Sequence, residues 1–208
     1  MLIHRFISEY IGSNTYIIEF ADCDEVVLID CGIIEARSIL KWLSENNKKP
    51  SHVILTHADA DHIAGVNSLD KHYDFILIAS INCSIAIKSI KSNFSKYIES
   101  FNGGFTISKE VLEVADGDMH EINGQSFQFI YTPGHTKACM CIRIENQLFT
   151  GDTIIAGIKT RISLRAGGNK IELKSSIDKL TAICDSKTEI FPGHGESSNF
   201  ASNLKYIL

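Results

Sequence analysis

The stretch that decides the fold is residues 53–62, Val53-Ile54-Leu55-Thr56-His57-Ala58-Asp59-Ala60-Asp61-His62. An apolar, strand-like run is followed at once by four side chains that can bind a metal. In an extended loop, residues two apart point the same way, so His57 and Asp59 can face one ion. Asp61 and His62 begin a helix predicted to run through Asp70, with Asp59 or Asp61 as its N-cap, and can face a second ion. The spacing therefore favours two ions over one.

Three further segments carry metal-capable side chains after short apolar runs: Pro133-Gly134-His135-Thr136, Gly151-Asp152-Thr153 and Pro192-Gly193-His194-Gly195. Strand ends would bring all of them to one edge of a sheet. A carboxylate is needed to hold two cations ~3.5–4 Å apart, and Asp152, on a separate turn, is the natural candidate. Taken singly, a His or Asp in a turn is more often solvent-facing or a cap. The conjunction of four such groups indicates a metal site.

The remaining four histidines lack such neighbours and are expected to be ordinary surface or hydrogen-bonding residues: His4, His52, His72 and His120.

A weak internal repeat predicts the architecture. Strand-like runs at residues 15–20 and 26–30, a helical stretch near residues 35–45 and a strand at 52–57 form one half. Runs at 139–144 and 147–152, a helical stretch near 171–184 and a strand at 188–194 form the other. Alternating strand and helix signals require helices to cover sheets, and two such halves packed sheet to sheet would bring both ligand-bearing edges together.

The order of these motifs resembles the metallo-β-lactamase superfamily, specifically its small glyoxalase-II-like hydrolases. The resemblance covers nearly the whole chain, from Asn14-Thr15-Tyr16 and Leu28-Ile29-Asp30-Cys31-Gly32 to His194. It implies an α/β fold, the αβ/βα four-layer sandwich of two packed mixed β-sheets flanked by helices.

The resemblance also implies a ligand set. One metal would be held by His57, Asp59 and His135, and a second by Asp61, His62 and His194, with Asp152 bridging them. A metal-bridged hydroxide would be the nucleophile, and Asp61 would orient it. Asp61 and Asp152 are therefore the expected catalytic residues.

One residue departs from the family pattern, because the position usually held by a second histidine is Asp59. Aspartate is a competent ligand, so the site is expected to persist. A carboxylate makes the first site harder than an imidazole would, which tilts the expected pair of divalent ions from zinc toward manganese or iron. It also lowers the positive charge of the site, which should raise the pKa of bound water.

Length and composition are those of one globular unit. The chain has 208 residues with 44% hydrophobic composition, only three prolines and no low-complexity stretch, so residues 1–208 are expected to form a single domain. Residues 1–12 lack the features of a signal peptide and no apolar run is long enough to span a bilayer, so a cytoplasmic protein without membrane contact is expected. The six cysteines are therefore expected to be reduced thiols.

Partners are constrained by charge. A net charge of −5 opposes broad nucleic-acid binding, so the expected partner is a small-molecule substrate, and the oligomeric state is left open. Residues 159–170 contain four basic and no acidic side chains, and Lys159 and Lys170 are expected to be solvated. Arg161 follows Asp152 at a distance similar to that of an arginine in glyoxalase-II-like relatives, and this resemblance implies that Arg161 either binds an anionic substrate group or is simply solvated. The aromatic segment around Phe94, Tyr97 and Phe101 either borders the site or is a surface loop with buried anchors.

The expected function is metal-dependent hydrolysis of a small thioester or ester. Two alternatives remain open: a mononuclear iron oxidoreductase resembling the persulfide dioxygenases of the same superfamily, and a metal-dependent binding or sensing module without catalysis. The chain ends soon after His194, so glutathione thioesters are possible substrates but are not implied.

Overall fold

The computed structural model describes residues 1–9 and 11–207, with side chains given as far as residue 203. Two six-stranded mixed sheets form its centre. The strands of the first sheet, in spatial order, are β1 (Leu2–Ile7), β2 (Asn14–Glu19), β3 (Glu25–Ile29), β4 (Lys49–Ile54), β5 (Ile76–Ser80) and β6 (Val111–Val114). Those of the second, also in spatial order, are β12 (Ser198–Asn199), β11 (Glu189–Pro192), β10 (Gln147–Gly151), β9 (Met140–Ile144), β8 (Gln125–Tyr131) and β7 (Met119–Ile122).

Helices lie beside these sheets and in the connections. They are α1 (Arg37–Glu45), α2 (Ala60–Ile63), α3 (Val66–Asp70), α4 (Ile81–Ala86), α5 (Lys170–Ile183) and α6 (Phe200–Ile207). Short 3-10 turns occur at Ile34–Ala36, Ser95–Tyr97, Glu99–Phe101 and Leu164–Ala166.

Successive side chains along each strand face alternately the other sheet and the covering helices, which gives four layers. In the first sheet, Ile18 and Ile54 face the second sheet and join a buried cluster with Phe129 and Phe149. Their neighbours in sequence face the other way, where Ile17 and Val53 pack with Ile39 and Leu43 of α1. A third cluster joins Cys141 and Leu148 of the second sheet to Leu180 of α5. Each fully buried aliphatic side chain contributes roughly 1.5–3 kcal/mol. The predicted αβ/βα sandwich is confirmed.

The two predicted halves are present as strand, strand, helix, strand. In each, an antiparallel pair precedes a helix and a strand added in parallel: β3 pairs with β4, and β10 with β11. The ends of β4 and β11 release the site loops at corresponding edges of the two sheets. The remaining strands, β1, β5 to β8 and β12, are outside the repeat and complete each sheet.

The single helix predicted from Asp61 to Asp70 is wrong, because the structure has two helices there. They are separated at Gly65, whose backbone N–H donates to the carbonyl oxygen of Cys31 at 2.8 Å. A Cβ at Gly65 would lie 2.5 Å from the carbonyl oxygen of Ile33. The chain bends at Gly65 because its backbone packs closely against the segment Cys31 to Ile33. Asp59 is the N-cap of α2, but its side chain makes no capping hydrogen bond and is left for the site.

None of the six cysteines is paired in a disulfide within the described residues. Within residues 1–9 and 11–207, no helix is both long and apolar enough to cross a membrane.

Candidate metal centre

The first cluster joins the loop after β4 to the turn after β8. The Asp59 Oδ2 atom lies 3.4 Å from His135 Nε2 and 4.0 Å from His57 Nε2. The Asp152 Oδ2 atom lies 3.6 Å from the same His135 nitrogen. Ligand atoms of His57, His135 and Asp152 all lie within 4.8 Å of one another, which is the spread expected of groups around a single cation.

The second cluster adds the turn after β11. Asp61 Oδ2 lies 3.3 Å from His194 Nε2 and 3.6 Å from His62 Nε2, and the two imidazole nitrogens are 3.3 Å apart. Asp152 Oδ1 approaches His62 Nε2 at 3.6 Å and Oδ2 approaches His194 Nε2 at 3.6 Å. Asp152 is therefore common to both clusters, and all seven side chains expected to be ligands lie together.

The donor set fits divalent cations. Four buried atoms in the first cluster have no hydrogen-bond partner: His57 Nε2, His135 Nε2, Asp59 Oδ1 and Asp152 Oδ1. A buried polar atom without a partner is costly, and native structures rarely leave several together. Cations coordinated by these nitrogen and oxygen atoms would satisfy all of them.

Asp30 orients the histidines of the β4 loop. Its Oδ2 accepts hydrogen bonds from His62 Nδ1 and from the Thr56 hydroxyl, both at 2.8 Å. That hydroxyl, having donated its only proton to Asp30, accepts from His57 Nδ1 at 2.9 Å. Both imidazoles are thereby directed to present Nε2 to the clusters. Asp30, His57 and His62 also form a candidate metal group, but the two Asp30 oxygens are already occupied by these bonds and by the Thr56 N–H at 2.7 Å.

The role of Asp30 is the main functional feature that the motif pattern did not predict. The residue adopts a left-handed conformation, with φ of 59°, immediately after β3. An aspartate just before Cys31-Gly32 at a strand end was the available signal, since aspartate and asparagine tolerate this region better than most residues.

The second half holds its ligands by backbone contacts. His135 Nδ1 donates to the carbonyl oxygen of Arg161 at 2.7 Å, which again leaves Nε2 for the cluster. Gly193 leaves space beside the shared carboxylate: a Cβ there would lie 2.3 Å from Asp152 Oδ1 and 2.7 Å from His62 Cε1. Close approach of the β11 turn to the centre therefore requires glycine.

The loop carrying His194 is fixed by the N-terminal strands. Tyr16 Oη donates to the Pro192 carbonyl oxygen at 2.7 Å, and Asn14 Nδ2 donates to that oxygen at 2.8 Å and to the Gly195 carbonyl oxygen at 2.9 Å. Arg5 donates to the Gly195 carbonyl oxygen and to Glu196 Oε1, both at 2.6 Å.

The electrostatics of the clusters couple cation binding to protons. Burial lowers the pKa of His62, but Asp61 and Asp152 outweigh it and raise that pKa to about 10. Burial is likewise outweighed at His135 and His194, whose pKa values are raised by Asp59 and Asp61 respectively. Since protons and cations compete for the same Nε2 atoms, binding of a cation releases protons and tightens as pH rises.

His57 and Asp61 shift in the opposite direction. Burial and the neighbouring His62 hold the pKa of His57 well below its ordinary value. Burial alone would raise the pKa of Asp61, but the neighbouring His62 and His194 lower it by more. The net pKa is therefore well below that of an ordinary carboxyl. Asp61 is therefore ionised throughout the neutral range.

A cleft of about 740 Å³ opens over the clusters. Asp59, Asp61, His135, Asp152 and His194 contribute to it, and its walls come from the 94–98 and 155–165 segments and Ile11. Arg161 lines this cleft, as do Phe94 and Tyr97. Phe101 is not among the lining residues; it packs on Phe105 with ring centroids 5.0 Å apart.

The four remaining histidines are outside the clusters, with partners Glu19 for His4, Ser51 for His52, Ser68 for His72 and the Phe129 ring for His120.

Comparison with known families identifies the class. The family model of the metallo-beta-lactamase superfamily matches residues 10–194, and the chain belongs to that superfamily. An uncharacterised protein of Mycobacterium bovis is 26% identical over 99% of this chain and 96% of its own length. A probable metallo-hydrolase of Methanocaldococcus jannaschii is 30% identical over 89% of this chain and 88% of its own.

Hydroxyacylglutathione hydrolases, the glyoxalase II enzymes, are among the relatives of the chain. Hydroxyacylglutathione hydrolase of Photobacterium profundum is 29% identical over 88% of this chain, which spans 60% of that enzyme. Among solved structures, the BLEG-1 B3 metallo-beta-lactamase has a TM-score of 0.88 at 21% identity, with 99% of each chain covered. TTHA1623, solved in a di-iron-bound form, has a TM-score of 0.83 at 20% identity, with 98% of each covered. These two likenesses establish the shared fold.

Proposed function

We propose that the chain is a metal-dependent hydrolase that cleaves a small thioester or ester, with two divalent ions in the paired clusters. The observation that carries the proposal is the position of Asp152. Its Oδ1 lies 3.6 Å from His62 Nε2 and its Oδ2 lies 3.6 Å from His135 Nε2, one nitrogen in each cluster. A carboxylate shared in this way suits a pair of ions better than a single ion.

The proposed ligands follow from these contacts. His57, Asp59 and His135 would hold the first ion, and Asp61, His62 and His194 the second, with Asp152 common to both. Zinc, manganese and iron all accept mixed imidazole and carboxylate donors, and Asp59 favours manganese or iron at the first cluster. When bound, the ions would supply the Lewis acidity that polarises a carbonyl oxygen and ionises water at neutral pH.

The side chains of the protein would orient the attacking water and limit the access of solvent to the site. Asp61 stays ionised because its pKa is held low, so its carboxylate can accept a hydrogen bond from the attacking water and fix its direction. Apolar side chains of the cleft walls flank the polar floor, so a substrate that fills the cleft would displace water and strengthen the electrostatic interactions there. The likeness to hydroxyacylglutathione hydrolase supports a thioester as the bond cleaved.

The decisive experiment is metal analysis of the freshly purified protein, paired with a panel of thioester, lactone and phosphodiester substrates. Two ions per chain with thioester or ester cleavage is the expected result. One iron per chain with oxygen consumption would instead identify an oxidising enzyme. Tight metal binding with no turnover would identify a binding or sensing module.

A matched pair of variants tests the shared carboxylate. Asp152→Ala should release metal and abolish turnover, because among the described carboxylates only Asp152 lies within 3.6 Å of histidine nitrogens in both clusters. Asp74→Ala, which removes an exposed carboxylate that belongs to neither cluster and does not line their cleft, is the control and should leave both unchanged. Retention of two ions and normal activity in Asp152→Ala would refute the assignment.

A further inference from the structure

We infer that the rim of the cleft is a docking surface for a lipid bilayer that contains anionic headgroups. Two segments form this surface. Wall 1 (residues 87–98) contributes Phe94, Tyr97 and Ile98 to the cleft, and wall 2 (residues 155–171) contributes Ile155 and residues 161–165. Adsorption to a bilayer surface needs no spanning segment, on whose absence the expectation of no membrane contact rested. The inference concerns binding and does not depend on the proposed hydrolysis.

Positive charge is concentrated in the two walls. Together they hold seven of the 20 basic side chains of the protein and none of its 25 acidic ones, and each wall ends where an acidic residue follows, at Glu99 and Glu172. The rest of the chain has thirteen basic and 25 acidic side chains, so its net charge is −12, whereas the whole protein carries −5. Such an asymmetry indicates a surface that binds an anionic partner.

The basic side chains of the walls are available to such a partner. All seven are exposed, and within the described residues none forms an ion pair with a carboxylate. They are Lys88, Lys91, Lys96, Lys159, Arg161, Arg165 and Lys170. The five lysines among them do not line the cleft. A molecule bound inside the cleft would therefore leave these lysines without a partner, whereas an extended anionic surface would neutralise them.

Exposed apolar side chains in the same walls favour a bilayer over other polyanions. Leu164 and Ile171 are each 80% exposed, Ile158 is 58% exposed and Tyr97 56%. Leucine and isoleucine side chains enter the boundary between headgroups and acyl chains, and tyrosine is enriched at that boundary. A nucleic acid offers no acyl region in which Leu164 and Ile171 could leave water. Basic and aliphatic side chains on one surface are thus the combination that a lipid interface binds.

A contact across the cleft joins the two walls. The guanidinium carbon of Arg165 in wall 2 lies 5.7 Å from the centroid of the Tyr97 ring in wall 1, within the range of a cation–π contact. Wall 2 is also attached to the first cluster, because the Ser163 N–H donates to the His135 carbonyl oxygen at 2.8 Å. Docking of the walls on a bilayer would therefore bring the opening of the cleft to the lipid surface.

Sedimentation of the metal-loaded protein with lipid vesicles tests the inference without turnover. Vesicles of pure phosphatidylcholine are compared with vesicles of equimolar phosphatidylcholine and phosphatidylserine. We expect the wild type to bind the anionic vesicles about tenfold or more tightly than the neutral ones, and we expect added salt to weaken this binding.

Lysine variants locate the charge dependence. The triple variant Lys88→Gln, Lys91→Gln and Lys96→Gln removes three cations of wall 1 that lie outside the cleft. Each basic residue near an anionic surface contributes about fivefold to affinity, so this variant should bind the anionic vesicles about 100-fold more weakly. The dependence of binding on salt should also be shallower.

A matched control separates the position of the charge from its amount. The triple variant Lys49→Gln, Lys71→Gln and Lys187→Gln changes the net charge equally, and these lysines are exposed and lie outside both walls. Lys49 begins β4 and Lys187 shortly precedes β11, so both lie at the strand ends opposite to those that carry the ligands. This variant should bind the anionic vesicles within about twofold of the wild type, because distant charges are screened.

A single aliphatic variant tests the apolar contribution. Ile171 does not line the cleft, and Ile171→Ser should weaken binding to the anionic vesicles about tenfold. The loss should be the same at every salt concentration, since transfer of an aliphatic group out of water is not screened by salt. This behaviour would distinguish it from the lysine variants.

Equal affinity of the wild type for neutral and anionic vesicles would overturn the inference, as would equal losses in the two triple lysine variants. A DNA duplex of random sequence is the further probe. If the duplex binds more tightly than the anionic vesicles and Ile171→Ser has no effect, the walls bind nucleic acid and the inference is wrong. Absence of thioester cleavage would count against the proposed hydrolysis alone, because vesicle binding is measured without turnover.

Discussion

Four of the seven clustered side chains lie within six residues after β4, whereas the second half of the chain supplies three from three separate turns. The first group is oriented by side chains, through Asp30 and Thr56. The second is held by main-chain groups and by glycine, as at Arg161 and Gly193.

The two groups of ligands should therefore differ in which substitutions disrupt them. A side-chain network can be weakened by an isosteric change that leaves the fold intact. In the second half the hydrogen-bond acceptors are main-chain carbonyl oxygens, which no substitution removes, and the site is most sensitive to bulk added at a position of close approach. The two edges should therefore respond to opposite kinds of substitution.

Adding a methyl group at Gly193 should have the largest effect. The Cβ of Gly193→Ala would lie 2.3 Å from Asp152 Oδ1, so the carboxylate shared by both clusters has to move. We expect loss of metal from both clusters and a fall in kcat/KM of about 100-fold or more, since displacements near 1 Å can have that effect. Metal content and turnover measured together are the check.

The neighbouring glycine provides the control for that variant. Gly195 has a positive φ of 77° and open space where a Cβ would lie, so Gly195→Asn should be tolerated. Equal damage from both substitutions would show that the turn is merely sensitive to change, and the proposed role of Gly193 would be wrong.

Removing the carboxylate charge of Asp30 tests the group of ligands that follows β4. Asn tolerates the left-handed conformation at this position, but its single amide oxygen cannot replace both carboxylate oxygens. One of them accepts from the Thr56 N–H and the other from His62 Nδ1 and the Thr56 hydroxyl, so an amide NH2 group would face donors on one side. We expect Asp30→Asn to fold and to bind metal about 10–100-fold more weakly, as is typical when a partner of a ligating histidine is lost. Titration against a competing chelator measures this, and unchanged affinity would contradict it.

The smallest effect is expected at Asp59, where one competent ligand replaces another. Asp59→His should shift the metal preference from manganese or iron toward zinc. The change in relative affinity should be less than ~10-fold, which is smaller than the change in affinity expected for Asp30→Asn. Replacing a carboxylate by a neutral imidazole adds one positive charge, so the attacking water should ionise at lower pH and the acidic limb of the pH–rate profile should move down. If neither property changes, Asp59 is not a ligand.

Much of the centre could be predicted because ligand chemistry is local in sequence. The spacing of His57, Asp59, Asp61 and His62 after an apolar run, and the turns carrying His135, Asp152 and His194, indicated the residues that the structure brings together. The repeat of strand, strand, helix and strand placed them at strand ends. These features depend on short-range periodicity, which a single sequence displays.

Other features depend on contacts between distant segments and were not predictable. The break between α2 and α3 arises because Gly65 docks on the carbonyl of Cys31, thirty-four residues earlier, and not from local propensity. The hydrogen bonds of Asp30 span 26 residues to Thr56 and 32 to His62. The contact between Arg165 and Tyr97 likewise joins loops that are remote in sequence.

The attachment of Arg5 to the Gly195 carbonyl has a consequence for biosynthesis. The two residues are 190 positions apart, and the Asn14 contact with Pro192 spans 178. Closing loops of that length is entropically unfavourable until other packing has formed, and such long-range contacts slow folding. During synthesis the β4 loop emerges long before His194, so a growing chain carries an incomplete set of chelating groups. Selection of the correct cations by the full set has to wait until the last strand joins its sheet.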